Sequence, residues 1–192
     1  MALTFSILYG SVREKRQGIR AVKFIQKQVE ARGHKAIVLD AKELPLPFLD
    51  KMYKEFDEAD APENMKTIAN ALNGSDAFIV VTGEYNHSIP PALKNMLDHF
   101  QKEYFFKPSG IAAYSAGQFG GMRAAVHVRA ILAELATPSI PTMASYPKIQ
   151  KVLDENGEAI EEYFIKSTNK FLDELEWYAE ALKRQRTEGT PY

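Results

Sequence analysis

The chain contains no cysteine. That single absence removes disulfides, thiolate metal sites, cysteine-ligated iron–sulfur clusters and cysteine nucleophiles together. No apolar run approaches the roughly 18–20 residues a membrane span needs, so no membrane segment is expected. There is no excess of charge of either sign: 24 basic and 25 acidic side chains give a formal charge of −1. A nucleic-acid partner is not expected from such a balance, nor is a strongly acidic carrier that docks on redox partners by its field. No internal repeat, heptad array or low-complexity tract is found. The four histidines, His34, His87, His99 and His127, fall in no metal-ligand spacing and read as surface or satisfied side chains. The apolar opening Met1–Gly10 lacks a basic flank and runs into Gly10-Ser11, so it reads as a strand, and a cytoplasmic location is expected.

What is present is an ordinary globular composition, 45% hydrophobic and 26% charged over 192 residues, enough for one α/β domain with a core. Compact apolar runs at 3–9, 36–39 and 77–82 read as buried strands, with a weaker one at 110–115 and a proline-interrupted edge strand at 137–143. Between them, helical spacing covers 19–32, 62–72, 90–100 and 122–136, and a last helix covers 167–184, with Trp177 as a core anchor. Residues 49–61 read as a surface loop or short helix, and 185–192 as a frayed tail beyond a single domain of residues 1–184. Five alternations of strand and helix predict a parallel, doubly wound sheet with helices on both faces. Such sheets bind ligands beyond the carboxyl ends of their strands. The loops after the first, third and fourth strands therefore matter most.

Each of these loops has an unusual composition. The first, Gly10-Ser11-Val12-Arg13-Glu14-Lys15-Arg16-Gln17-Gly18, joins a hydroxyl and several cations to a helix N-terminus, a setting that suits a phosphate. It matches neither the dinucleotide fingerprint nor the P-loop, and a solvated turn that caps a helix would look the same. The second, Thr82 to Asn95, offers Glu84, Tyr85 and Asn86 to the rim and face of a flat heterocycle, or is a proline-terminated surface loop. The third, Tyr114 to Arg123, has Gly117, Gly120 and Gly121, which permit close approach of backbone to a ligand or to another element. No one loop decides between these readings. Together they would lie on one edge of the sheet.

Three motifs carry a resemblance. They are Gly10-Ser11-x-Arg13-x-x-Arg16-x-Gly18, Glu84-Tyr85-Asn86-x-x-x-Pro90-x-x-Leu93-Lys94-Asn95-x-x-Asp98, and Tyr114-Ser115-Ala116-Gly117-x-x-Gly120-Gly121-x-Arg123. With Leu44-Pro45-Leu46-Pro47 they make residues 3–145 resemble the NAD(P)H-dependent FMN reductases, the flavodoxin-like quinone, chromate and azo-dye reductases. The resemblance implies a flavodoxin-like sheet of order 2-1-3-4-5 and an FMN site. Ser11 and Arg13 would bind the phosphate, with Arg16, Gln17 and Gly18 adding contacts. Glu84, Tyr85 and Asn86 would border the isoalloxazine ring, and Ser115, Gly117, Gly120 and Gly121 its other edge. Hydride would pass from NADPH or NADH to flavin N5, and electrons then to a small acceptor such as a quinone, azo dye, chromate or free flavin. Tyr85 and Asn86 are the candidates for orienting the reacting face; no side chain need act as acid or base. Arg13, Arg16 and Arg123 are candidates for a 2′-phosphate clamp. The resemblance also implies a homodimer or homotetramer through the 90–100 helix. A flavodoxin-type carrier or an FMN-sensing module is the alternative. This sequence departs from the family where Arg16 replaces a small polar residue and Gly83 a proline.

Overall fold

The computed structural model describes residues 2–57 and 59–192. Its centre is a five-stranded parallel sheet in the order β2-β1-β3-β4-β5. The strands are β1 (Thr4–Tyr9), β2 (Lys35–Asp40), β3 (Ala77–Thr82), β4 (Ser109–Tyr114) and β5 (Ser139–Tyr146). β3 and β4 are buried along their whole length, as befits strands covered on both faces. Their near-continuous apolar sequences are the reason they sit centrally.

The helices are α1 (Ile19–Ala31), α2 (Glu63–Asn73), α3 (Pro91–Asp98), α4 (Met122–Glu134), α5 (Ile149–Val152) and α6 (Glu162–Glu188). Each lays an apolar stripe on the sheet. Phe24, Ile25, Phe171 and Leu175 from α1 and α6 join Phe5, Ile7 and Val81 in one core layer. On the other face Met65, Ile68, Leu93, Met96, Val128 and Leu132 from α2, α3 and α4 meet Leu8, Phe78 and Val80. Alternate residues of each strand supply the two layers, as a period of two requires.

The topology is the flavodoxin-like order expected, and several boundaries move. The edge strand runs from Ser139 to Tyr146, past Pro141, with a register irregularity opposite Ser109 and Ile111. An outermost strand tolerates that loss of a donor. Among the described residues of the charged segment 49–61 the one helical element is the 3₁₀ turn Tyr53–Glu55; Glu58 lies outside the described residues. A small antiparallel bridge, Leu153 to Ala159, precedes α6 and was not expected. α6 starts at Glu162 and continues to Glu188, into the segment read as a tail, and Tyr192 rests against Phe105 and Phe106. Trp177 is not a core anchor: it is 67% exposed. The buried positions of α6 are Phe164, Thr168, Phe171, Leu172, Leu175 and Ala179, and Trp177 falls between the turns of that stripe.

Candidate flavin site

The carboxyl ends of β1, β3 and β4 deliver the three loops to one place. A cleft of about 170 Å³ is lined by Ser11, Arg13, Lys15, Arg16 and Gln17 of the first loop, Gly83, Glu84 and Tyr85 of the second, and Ser115 and Ala116 of the third. Its floor includes Tyr114, the last residue of β4, and Ile149 of α5. A hydrogen bond of 3.0 Å between Ser11 Oγ and Tyr85 OH ties the first loop to the second.

Tyr114 explains two of the glycines. A Cβ on Gly18 would stand 2.1 Å from Tyr114 Cζ, and one on Gly83 2.9 Å from its hydroxyl oxygen. The ring therefore occupies the space two side chains would have filled, and it lies 6.4 Å from the Tyr9 ring beneath the cleft. Burial pushes both phenols up, so both are neutral hydroxyls at physiological pH.

The first loop is built for an anion. Among the described residues, the backbone N–H groups of Val12 to Gly18 make no hydrogen bond. α1 begins directly after them with no side-chain cap and no acidic residue in its first turn, so its positive end faces the loop uncompensated. Gln17 Oε1 is buried without a partner. Arg13 and Lys15 are exposed, and Arg13 makes no ion pair or hydrogen bond among the described residues. Arg16 differs. It is held by Asp40, at 2.5 Å, and so is not free as the other two are.

The second loop turns sharply. Tyr85 and Ser88 exchange backbone hydrogen bonds of 2.9 and 3.0 Å around Asn86 and His87, whose φ values are 50° and 68°. That is the geometry of a two-residue turn with both central residues left-handed, which asparagine tolerates and histidine accepts at a cost. The turn places Asn86 and His87 at an exposed tip, outside the residues that line the cleft. Ser88 Oγ is 3.0 Å from His127 Nδ1, fixing the turn against α4.

Glu84 faces the third loop. Its carboxylate pairs with Arg123 and accepts from the Arg123 backbone N–H at 3.3 Å, at the start of α4. Burial opposes its charge, yet the hydrogen bonds and charge of Arg123 win and hold the carboxyl below its usual range. Arg123 also lies 5.0 Å over the exposed Phe119 ring. Arg16 and Arg123 are thus both ion-paired, which leaves Arg13 as the free one of the three arginines named for a 2′-phosphate.

In the third loop the glycines divide. Gly120 and Gly121 have φ of 61° and 75°, and a Cβ on them would collide with Ser145 Oγ at 2.1 Å and Tyr114 O at 2.7 Å. They allow α4 to start hard against β4 and β5. Gly117 has nothing within 4 Å of a Cβ, so the space beside it is open. Ser115 Oγ donates to Gly117 O at 2.8 Å, and the N–H groups of 116–121 make no hydrogen bond among the described residues.

An uncapped helix end with free N–H groups and two free cations fit the phosphate of a flavin mononucleotide, and the orphaned Gln17 Oε1, an acceptor, fits a hydroxyl of its polar chain. The open backbone of the second and third loops fits the rim of its ring. Comparison with known proteins agrees. Residues 3–150 match the model of the family described as NADPH-dependent FMN reductase. The chain belongs to that family. A 2-hydroxy-1,4-benzoquinone reductase from a Burkholderia species is 27% identical over 183 residues, covering 90% of this chain and 94% of its own. A quinone reductase from Pseudomonas putida is 30% identical over 147 residues, covering 73% and 75%. Among solved structures, FerB from Paracoccus denitrificans, a flavoenzyme NAD(P)H:(acceptor) oxidoreductase, superposes with a TM-score of 0.77 at 23% identity, over 95% of this chain and 98% of that one. The chain is an FMN-dependent oxidoreductase that uses NAD(P)H.

Sequence reasoning missed three residues near this cleft. In the sequence Tyr114 is only part of a motif, although glycines at 18 and 83 are the trace of its ring. Asp40 and Ile149 are brought in by tertiary structure, from a strand end and a short helix that carry no motif. A second, larger cavity of about 640 Å³ shares Arg13 and Tyr85 with the first and is also lined by Gly10 and Val12, by Ala41 and Leu44 to Phe48, and by Pro90 and residues of α3. Asn95 within it is engaged at both ends of its amide, donating to Pro47 O at 2.7 Å and accepting from Leu49 N at 3.1 Å. Lys94 and Asp98 pair within α3. Among the described residues no helix is long and apolar enough to cross a membrane, and no cluster of three or more metal-ligating side chains is found.

Proposed function

We propose that FMN lies across the three loops with its phosphate on residues 11–18, and that electrons pass from NAD(P)H to a small acceptor: a quinone, an azo dye, chromate or free flavin. The flavin supplies the redox chemistry, taking a hydride and giving electrons onward. The protein supplies position. Ser11, Arg13, Gln17 and the N–H groups up to Gly18 hold the phosphate, and Lys15 adds charge. Arg16 contributes from behind the loop. Glu84 and Tyr85 border the ring through backbone and phenol, with Asn86 at the turn tip setting the reach of that loop. Ser115, Gly117, Gly120 and Gly121 form the opposite edge, Gly117 beside the ring and the other two by fixing the loop.

The observation that carries this reading is a cleft in which the unpaired N–H groups of the first loop stand beside two free cations, bordered by Glu84 and Tyr85 of the second loop and by Ser115 and Ala116 of the third. A cleft of about 170 Å³ is smaller than the roughly 300–1,000 Å³ of enclosed ligand pockets, so the ring lies partly open to solvent, as exchange between two substrates requires. The acceptor relatives named above point to quinones first.

The same surface supports an oligomer through residues 90–100. Phe48, 90% exposed, and the half-exposed Val12 and Leu49 surround the apolar cavity beside α3, a surface that a second copy would cover in a dimer or tetramer. Light scattering gives the mass directly.

The deciding experiment is an absorbance spectrum of the purified protein, with FMN added, followed by anaerobic titration with NADH and NADPH. Bleaching of the flavin by either nucleotide, and its return with benzoquinone, is expected. Tight FMN binding with no nicotinamide oxidation across quinones, azo dyes and ferricyanide would refute the enzyme reading and favour a carrier.

A further inference from the structure

Arg16 lies in the loop that faces the phosphate, yet its guanidinium is committed inward. Nη1 donates to Asp40 Oδ1 at 2.5 Å and to the Ser11 carbonyl at 3.1 Å. Nη2 stands 3.5 Å from Glu43 Oε1, and the guanidinium carbon is 5.3 Å from the centre of the Tyr9 ring. The Arg16 and Asp40 side chains are only 12% and 8% exposed, so this is a largely desolvated pair.

Asp40 is a rigid anchor. It is the last residue of β2 and pairs in register with Tyr9, the last residue of β1. The Ala41 N–H donates to Tyr9 O at 2.9 Å, which continues the ladder past it. Its Oδ1 also accepts from Lys42 N at 2.9 Å, and its carbonyl accepts from Glu43 N and Leu44 N. A strut of fixed length therefore runs from the end of β2, through the guanidinium, to the Ser11 peptide. Ser11 is 3% exposed and opens the row of unpaired N–H groups.

We propose that Asp40 and Arg16 are a positioning pair for the flavin phosphate: Asp40 holds Arg16, Arg16 holds the Ser11 carbonyl, and the N–H groups of residues 12–18 are thereby aimed at the anion. The proposal rests on the FMN reading of this cleft. It assigns Asp40 a role through Arg16 and takes Arg16 out of direct contact with the phosphate. A bare carboxylate beside a phosphate would repel it, and the partner guanidinium removes that penalty. The planar fork suits the task because one nitrogen can serve a carbonyl and a carboxylate in the same plane.

The test compares FMN with riboflavin, which has the same ring and no phosphate. Dissociation constants of both are measured by flavin fluorescence for the unaltered chain, Asp40→Asn, Arg16→Met and the double variant, with thermal unfolding of the flavin-free chains as the fold readout. Each single variant is expected to weaken FMN about tenfold or more, the scale of a lost charge-assisted hydrogen bond. Riboflavin affinity is expected to hold within about twofold, and the double variant to lose no more than either single one, because the residues act as a unit. Tighter FMN binding by Asp40→Asn would overturn the proposal, since it would make Asp40 a competitor for a directly binding Arg16. Equal losses for both flavins would also overturn it, reducing the pair to a support of the fold. If Asp40→Asn does not fold, Arg16→Lys carries the test: the ammonium keeps the charge but not the two-way bridge, so unchanged FMN affinity overturns the proposal and a loss confined to FMN supports it. Failure of the FMN reading itself looks different: the unaltered chain would prefer FMN to riboflavin by nothing at all.

Discussion

Gly18→Ala separates two effects that usually act together. The backbone at Gly18 is right-handed helical, φ −62° and ψ −17°, so alanine adopts it without strain. By conformational entropy alone the substitution would stabilise the chain by about 0.4–1 kcal/mol. The obstacle is one side chain. The new methyl would stand 2.1 Å from Tyr114 Cζ, 2.4 Å from Cε1 and 2.4 Å from the hydroxyl oxygen. The ring cannot slide away freely, because Gly83 lies against its other side with a Cβ position only 2.9 Å from the hydroxyl oxygen, and Tyr9 is packed beside it. Tyr114 itself is 7% exposed.

Overpacking of this kind costs about 1–3 kcal/mol. Three contacts of 2.1–2.4 Å put the cost in the upper half of that range, so after the entropic gain the expected result is a net loss of roughly 1–2.5 kcal/mol. Urea denaturation followed by tryptophan-independent circular dichroism measures it as a lower midpoint with an unchanged slope. Because the displaced ring must move toward the cleft, FMN affinity falls in the same variant. Gly18→Ala in a Tyr114→Ala background removes the clash, and there the substitution is expected to turn neutral or stabilising. A single Gly18→Ala variant as stable as the parent, or more so, would refute the placement of the Tyr114 ring and with it the account of why positions 18 and 83 are glycine.

Three further outcomes follow from the site. Glu84→Gln leaves the half-exposed Arg123 without its ionic partner and is expected to cost about 0.5–1.5 kcal/mol at pH 7. The folded pKa of Glu84 lies below its unfolded value, so this contribution is present above the unfolded value and disappears as pH falls through the folded one; acid titration of stability should show the parent and variant converging. Gly121→Ala, at φ 75° and 2.7 Å from Tyr114 O, is expected to lose at least about 1 kcal/mol, whereas Gly117→Ala, with open space around it, stays within about 0.5 kcal/mol and lowers only flavin affinity. Lys107 donates to Leu72 O, Asn73 O and Glu103 O, and burial, reinforced by Arg186, lowers its pKa from 10.5 to about 8. Here the unfolded chain holds the proton more tightly, so stability relative to Lys107→Met is expected to rise between pH 8 and about 10.5, measured by thermal unfolding across that range.

The sheet was legible because burial on both faces leaves few options: Ala77 to Thr82 can hardly be anything but a central strand, and the glycines that follow β1 and β3 mark where the chain leaves the sheet. The loops were legible as a set because a doubly wound order forces the ends of β1, β3 and β4 together, and Ser11, Tyr85 and Ser115 do line one cleft. What could not be read is what depends on distance across the fold. Trp177 misled because its apolar bulk outweighed its phase; Leu175 and Ala179 are buried and position 177 lies off their stripe. Arg16 illustrates the same limit at the site. In the sequence it is a third cation beside Arg13 and Lys15, and nothing local separates them. Only the register that sets Asp40 beside Tyr9 shows that one of the three is already neutralised. A charge in a phosphate loop thus has two possible uses, to meet the anion or to hold the backbone that meets it, and the choice is made by a strand neighbour 24 residues away.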